Sequence, residues 1–235
     1  MLKYLVRVLL AAVAQRPLRP RDFTMVFGPE WSGSPAQTIA REALAKQGLP
    51  TPNYPNFSAV TTLQTAIGPL TLGTGGGGMG SEIEADPAAN TPALNMGQGF
   101  GGLSVGLLVF KRGPLRIAPH VTLGGAGMGG EVAYPATAAT ASGEQAAGNQ
   151  IDARDFGMGG FVLRAGLTLE LRFPLWRAIG PVIGLRVGGL WMPNPEWDAA
   201  AIGITAAPPS RYLSGYVQPF VGIGGTAADT AEPSA

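Results

Sequence analysis

The sequence contains no cysteine and only one histidine in 235 residues. The absence of cysteine excludes disulfide bridges, thiolate catalysis and metal sites built on thiolates, and it is compatible with passage through an oxidising compartment. Charge is also sparse, because Asp, Glu, Lys and Arg make up 13% of the chain and the formal net charge is only +1. Such a chain offers no basic patch for the phosphates of a nucleic acid. We therefore predict no nucleic-acid partner.

Long apolar runs are missing as well. No stretch reaches the roughly 18 uninterrupted apolar residues of a membrane helix, since Arg7, Arg164 and Arg186 interrupt the best candidates. Glycine and proline are abundant, with 36 and 21 copies, which raises the question of disorder. Disorder is disfavoured because 46% of the residues are hydrophobic, whereas disordered chains are poor in apolar residues and rich in charge. If this chain crosses a membrane, it does so with strands.

Alternation of apolar and polar residues is the clearest pattern, most of all between Phe161 and Phe173. Arg164, Glu170 and Arg172 fall on one side of this segment, and an entirely apolar row falls on the other. A period of two is the period of a β-strand. Eight segments of this kind are predicted to be strands: Phe23–Glu30, Phe57–Ala66, Pro69–Met79, Leu103–Val109, Leu115–Leu123, Phe161–Phe173, Ile183–Trp191 and Tyr212–Gly225.

The connections between these strands alternate in length. Long connections follow the odd-numbered strands, at 31–56, 80–97, 131–155 and 194–211. Short turns follow the even-numbered strands, at 67–68, 111–114 and 174–179. Outer-membrane barrels show this alternation, with short turns on the periplasmic side and longer loops outside. The predicted fold is therefore an all-β, eight-stranded antiparallel up-and-down transmembrane β-barrel, with a short helix over 36–47 in the first long loop.

The sequence divides into three predicted regions. Lys3 and Arg7 precede a short apolar stretch that ends in Ala12-Val13-Ala14, a pattern typical of a secretory signal. Residues 1–14 are therefore predicted to be a signal peptide, the alternative being an N-terminal segment of the mature protein. Residues 21–226 are predicted to form the barrel, and residues 227–235 a flexible C-terminal tail.

Strand phase assigns a set of titratable side chains to the interior of the barrel. They are Arg116, His120, Arg164, Glu170, Arg172 and Arg186. Asp22 and Glu30 join them if the first strand is interpreted correctly. Eight strands enclose a space that side chains fill, so we predict a packed polar lumen and no open pore. Within it, Arg172 is close enough along the strand to pair with Glu170.

Two glycine runs, Gly73–Gly78 and Gly125–Gly130, match the pattern of dinucleotide-binding loops. Neither leads into a convincing helix whose N-terminus could hold a pyrophosphate. The simpler interpretation rests on similar Gly-x-Gly-Gly pieces at 127–130, 157–160 and 222–225. They lie near the loop-side or terminal ends of the predicted strands, where glycine permits bends in a coiled sheet. No nucleotide cofactor is predicted.

Catalytic and metal-binding residue types are few. His120 and Ser104 share the polar face, so a lipid-modifying barrel enzyme stays open as an alternative to a non-enzymatic protein. The acidic residues Glu82, Glu84 and Asp86 match no EF-hand spacing, and a single histidine cannot build a zinc site. We predict no catalytic site, no metal and no cofactor.

The chain resembles the small eight-stranded outer-membrane β-barrel proteins, the class of OmpA and OmpX. The resemblance lies in the segments FVLRAGLTLELRF, GPVIGLRVGGLW and YLSGYVQPFVGIGG and in the repeated Gly-x-Gly-Gly pieces. It implies a place in the bacterial outer membrane, contact with outer-membrane lipid, and a structural or surface-contact role in which the long loops meet an extracellular or cell-wall ligand. One departure is that the chain continues through 227–235 where such barrels commonly end in an aromatic residue. A soluble β-barrel that binds a small ligand is a further alternative.

Overall fold

The computed structural model describes residues 20–33, 45, 57–84, 92–134, 152–173, 175, 179–198, 200 and 211–226. The predicted signal peptide and tail lie outside these residues, as does the helix predicted over 36–47 apart from Ala45. No helix in the described part of the chain is long and apolar enough to cross a membrane. The strands are β1 (Pro20–Ser32), β2 (Phe57–Ile67), β3 (Leu70–Ile83), β4 (Ala93–Leu107), β5 (Phe110–Arg112), β6 (Leu115–Tyr134), β7 (Asp152–Arg172), β8 (Ile179–Pro193), β9 (Glu196–Asp198) and β10 (Arg211–Thr226).

The eight long strands form a closed ring. Each pairs antiparallel with the next long strand along the chain, and β10 pairs with β1 to close the ring. The short strands extend this framework, because β5 continues the line of β4 beside β6 and β9 continues the line of β8 beside β7. The predicted architecture, an eight-stranded antiparallel up-and-down barrel, is confirmed.

Two tight turns lie at 68–69 and 113–114 and overlap the turns predicted at 67–68 and 111–114. Each contains a glycine in the left-handed backbone region, Gly68 with φ 63° and Gly113 with φ 57°. Only glycine adopts such angles without steric cost. The turns therefore set the register of the β2–β3 and β5–β6 hairpins at one end of the barrel, which we call the turn end; the opposite end is the loop end.

Several strands extend farther toward the loop end than predicted. β6 and β7 pair along their whole length, from Leu115↔Leu171 to Tyr134↔Asp152, so that 131–134 and 152–155 are strand and not loop. β3 and β4 likewise pair as far as Ile83↔Leu94. The alternation of hydrophobicity does not predict these extensions because glycine occupies many of their outward positions.

The glycine runs at 73–78 and 125–130 lie inside β3 and β6. Of the pieces expected near strand ends, 222–225 lies at the end of β10, whereas 127–130 and 157–160 lie within β6 and β7. The outward glycines of β3 and β6 pair with outward glycines on β4 and β7, and together they form a side-chain-free area that we call the glycine field. Its register pairs are Gly76↔Gly101, Gly78↔Gly99, Gly80↔Gly97, Gly97↔Gly129, Gly99↔Gly127, Gly101↔Gly125, Gly127↔Gly159 and Gly129↔Gly157. A glycine run within a strand opens no helix, which removes the nucleotide-binding interpretation.

The outer face of the barrel is apolar, whereas polar side chains are buried on its inner face. In β1, Phe23, Met25 and Phe27 are exposed and Asp22 and Thr24 are buried. Over the described residues, twenty-two large hydrophobic side chains are exposed and eleven polar or charged ones are buried. This is the reverse of the usual distribution in water-soluble proteins. The exterior therefore does not fit the alternative of a soluble barrel with an apolar interior.

Candidate functional site in the barrel lumen

The structure places all six predicted lumen residues on the inner face. Arg116 and His120 come from β6, Arg186 comes from β8, and the other three come from β7. β1 lies across the ring from β6 and β7 and contributes Asp22 and Glu30 from the opposite wall. Strand alternation brings every second residue inward, so the lumen is lined by side chains that are distant in sequence.

An ionic cluster lies near the turn end. Arg116 forms an ion pair with Asp22 across the lumen. Arg172 bonds Glu170, two residues away on the same strand face, and also the hydroxyl of Thr24. The Nη1 atom of Arg172 is 3.9 Å from Oδ2 of Asp22, so the two arginines share one carboxylate. The cluster joins β1, β6 and β7 through charged hydrogen bonds, which are the stronger kind.

A second ion pair, between Arg164 and Glu30, lies in the lumen nearer the loop end. Glu30 is only 1% exposed. The guanidinium carbon of Arg164 lies 4.2 Å from the ring centre of Phe100 and 4.1 Å from that of Tyr216. A guanidinium between two aromatic rings gains cation–π attraction in addition to its ion pair. The arrangement holds Arg164 across the centre of the barrel.

His120 is held between two hydroxyl groups. Its Nε2 atom is 2.9 Å from the hydroxyl of Tyr216, and its Nδ1 atom is 3.1 Å from that of Thr168. Ser104 lines the same cavity, yet among the described residues it forms no hydrogen bond with His120 and no carboxylate bonds the imidazole. A nucleophile needs a base within hydrogen-bond reach and a group that orients the base. Ser104 and His120 therefore do not form a nucleophile–base pair with an orienting carboxylate in the described part of the chain.

Metal-ligating side chains are not grouped in the described residues. No set of three or more His, Asp or Glu side chains lies close enough there to hold a metal ion. The carboxylates inside the barrel instead bond arginines.

The loop end of the lumen is mostly apolar, which strand phase alone did not lead us to predict. Four methionines and several aliphatic and aromatic side chains are buried there, and we call them the apolar plug: Leu94, Met96, Met128, Val132, Phe156, Met158, Leu190 and Met192. The cavities that remain inside the barrel measure about 30 to 50 Å³. Such volumes hold a few water molecules. The turn-side part of the lumen therefore contains the cluster of Arg116, Arg172 and their carboxylates, and the loop-side part is largely hydrophobic.

Comparisons with known proteins give likenesses of shape only. No protein-family model and no curated protein matches the chain. Similar solved structures include Ail of Yersinia pestis with the heparin analogue sucrose octasulfate (8% identity, 88% of this chain and 99% of that chain, TM-score 0.47). Others are Neisserial surface protein A (7%, 90% and 100%, 0.41) and a major outer membrane protein of Thermus thermophilus (13%, 89% and 100%, 0.44). At these values the likenesses support no statement about the ligand or activity of this protein.

Proposed function

We propose that this protein is a non-enzymatic β-barrel of a bacterial outer membrane that serves a structural or surface-contact role. The observation that carries the proposal is the inverted barrel, with twenty-two exposed large hydrophobic side chains outside and a buried ionic lumen inside. The apolar exterior is compatible with contact to lipid, and ring closure pairs each long strand with a neighbour on both sides, so no strand edge is left open. An outward apolar face with inward polar residues is typical of outer-membrane barrels.

Aromatic residues at both rims support a membrane position. Trp31 and Trp191 are exposed near the loop ends of β1 and β8. Phe110 and Phe173 are exposed near the turn end. Aromatic side chains of outer-membrane barrels form girdles at the two interfaces with water.

The surface-contact role is assigned to the long connections. The lumen is closed by the ionic clusters and the apolar plug, so it offers no path for transport. The connections at the turn end are short, whereas those at the loop end span 33–56, 84–92, 135–151 and 199–210. A role in contact with an extracellular or cell-wall ligand therefore belongs at the loop end.

The location is tested by fractionation of cells that produce the protein, followed by gel electrophoresis with and without boiling. We expect the protein in the outer-membrane fraction, with an unboiled form that migrates differently from the boiled form because a closed barrel resists unfolding in detergent at room temperature. A protein recovered entirely from the soluble fraction, with one mobility in both samples, would contradict the proposal.

Cysteine labelling of intact cells tests the orientation, and the chain is suited to it because it has no cysteine of its own. Ala200 lies in a loop-end connection and is exposed, and Arg112 is exposed at the turn end. We expect Ala200→Cys to react with an impermeant thiol reagent and Arg112→Cys to react only after the membrane is permeabilised. Labelling of Arg112→Cys alone on intact cells would mean that the barrel has the opposite orientation.

A further inference from the structure

The charges inside the barrel do not balance. Among the described lumen residues that are buried or half-buried there are four arginines, namely Arg116, Arg164, Arg172 and Arg186, and three carboxylates, namely Asp22, Glu30 and Glu170. Each carboxylate belongs to an ion pair with Arg116, Arg164 or Arg172. Arg186 has no carboxylate within 4.0 Å in the described part of the chain, although it is only 5% exposed. A buried charge without a counter-charge is strongly unfavourable.

The unsatisfied hydrogen-bonding atoms of the lumen are mostly donors. Arg186 donates from Nη1 to the hydroxyl of Thr62 at 2.7 Å, but its Nε and Nη2 atoms have no partner among the described residues. The Nε atom of Arg164 and the Nε2 atom of Gln218 also lack a hydrogen-bond partner among the described residues. Buried polar groups are nearly always hydrogen-bonded. An excess of donors indicates that the complementary group is an acceptor.

The residues that carry these donors line one cavity of about 30 Å³. Its lining includes Arg164, Arg186 and Gln218, together with the hydroxyl-bearing residues Thr62, Ser104 and Thr122. Gln218 is 2% exposed and is the register partner of Arg186 on the neighbouring strand. Directly opposed residues on neighbouring strands have Cβ atoms about 5 Å apart, so the Gln218 amide and the Arg186 guanidinium are close enough to bind one small group together.

From this geometry we infer that the lumen contains a binding site for a small monovalent inorganic anion such as chloride, bound between Arg186, Gln218 and Arg164. One anion would supply a negative charge in direct contact with Arg186, on which Glu170 and Glu30 act only from beyond ion-pair distance. The same anion would be an acceptor for several unpaired donors. The cavity limits the size of the ligand, because about 10–15 Å³ of such volume holds one water molecule. A halide fits this space, and a sugar acid or a lipid headgroup does not.

The test compares thermal unfolding of the detergent-solubilised full chain in sodium chloride and in sodium gluconate at equal ionic strength. Gluconate is too large for the cavity. Because a ligand that binds only the folded state stabilises it, we expect chloride to raise the melting temperature, by about 5–11 °C when chloride exceeds its dissociation constant a hundredfold. Arg186→Met should abolish this response, whereas Arg112→Met, which removes an exposed arginine, should retain it.

A second variant tests the site without removing Arg186. Gln218→Glu has nearly the same shape and places a fixed carboxylate beside the guanidinium. We expect it to melt in gluconate at or above the wild-type temperature in chloride, and to respond no further to chloride. Retention of the full chloride response by Gln218→Glu would overturn the proposal.

Direct detection uses wild-type crystals grown with bromide, whose anomalous scattering locates the ion. We expect a peak in contact with Arg186 and Gln218. A melting temperature that is the same in chloride and gluconate, together with no bromide peak in the lumen, would show that water satisfies these donors and that the anion site does not exist.

Discussion

Glu30→Gln is expected to destabilise the barrel by about 3–5 kcal/mol, because it removes the only carboxylate that pairs with the buried guanidinium of Arg164 among the described residues. Glutamine preserves the shape but not the charge. Arg164 would remain between Phe100 and Tyr216, where it cannot reach bulk water. The measurement is chemical unfolding of the barrel in detergent, followed by its mobility on unboiled gels.

The matched control is Glu84→Gln, which removes a carboxylate that is exposed at the loop end of β3. Exposed charges contribute little to stability, so this variant should unfold like the wild type. A double variant, Glu30→Leu with Arg164→Met, should recover much of the loss because no charge is left without a partner. Equal unfolding midpoints for Glu30→Gln and Glu84→Gln would show that the Arg164–Glu30 pair does not stabilise the lumen.

Leu103→Arg is the corresponding test of the outer surface. Leu103 is 70% exposed on β4, and an arginine at that position would be easily solvated if water surrounded the barrel. In a membrane it must instead be placed against lipid, at a cost of about 2–4 kcal/mol near the middle of the bilayer. We therefore expect Leu103→Arg to lower the free energy of unfolding by this amount when the barrel is folded into lipid vesicles and unfolded with guanidinium chloride.

Asn95→Arg provides the control on the same strand and the same outer face. Asn95 is exposed nearer the loop end of β4 and pairs with Glu131. Near the interface the same substitution costs only about 0–1 kcal/mol. A Leu103→Arg variant that is as stable as Asn95→Arg would place the apolar face of β4 outside the bilayer.

The sequence was sufficient to predict the strands and their two faces. Alternation with a period of two is a local property, so it alone indicates that Arg164 and Glu170 point inward and that Phe161 points outward. The lengths of the connections then indicate how the strands follow one another around the ring. The strand number and the placement of the lumen arginines therefore follow from local patterns.

The partners across the lumen could not be predicted in the same way. Arg116 pairs with Asp22 and Arg164 with Glu30, residues that are 94 and 134 positions apart. Which side chains meet depends on the tilt and stagger of the closed sheet, and these are properties of the whole ring. The contribution of Tyr216, which contacts Arg164 and His120 at once, was missed for the same reason.

The loop end was also predicted incompletely, because two of its features were missed. They are the extensions of β6 and β7 and the apolar plug. Outward glycines give no hydrophobic alternation, so the extensions of β6 and β7 could not be recognised from periodicity. Met128 and Val132 share the phase of Arg116 and His120 on β6, and Met158 shares the phase of Arg164 on β7. These phases could have indicated the apolar plug. The prediction of a polar lumen rested on the charged residues of those phases, so it did not include the plug.

Because β1 pairs with β10, the ring is completed by a ladder in which Met25 meets Ile223 from nearly the other end of the described chain. Bringing together such distant segments has an entropic cost, and until it happens both strands present unpaired backbone groups as open edges. β1 also contributes Asp22 and Glu30, the acceptors for Arg116 and Arg164. Ring closure and neutralisation of these arginines are therefore one event, so the barrel is expected to assemble cooperatively and not as a stable series of partial sheets.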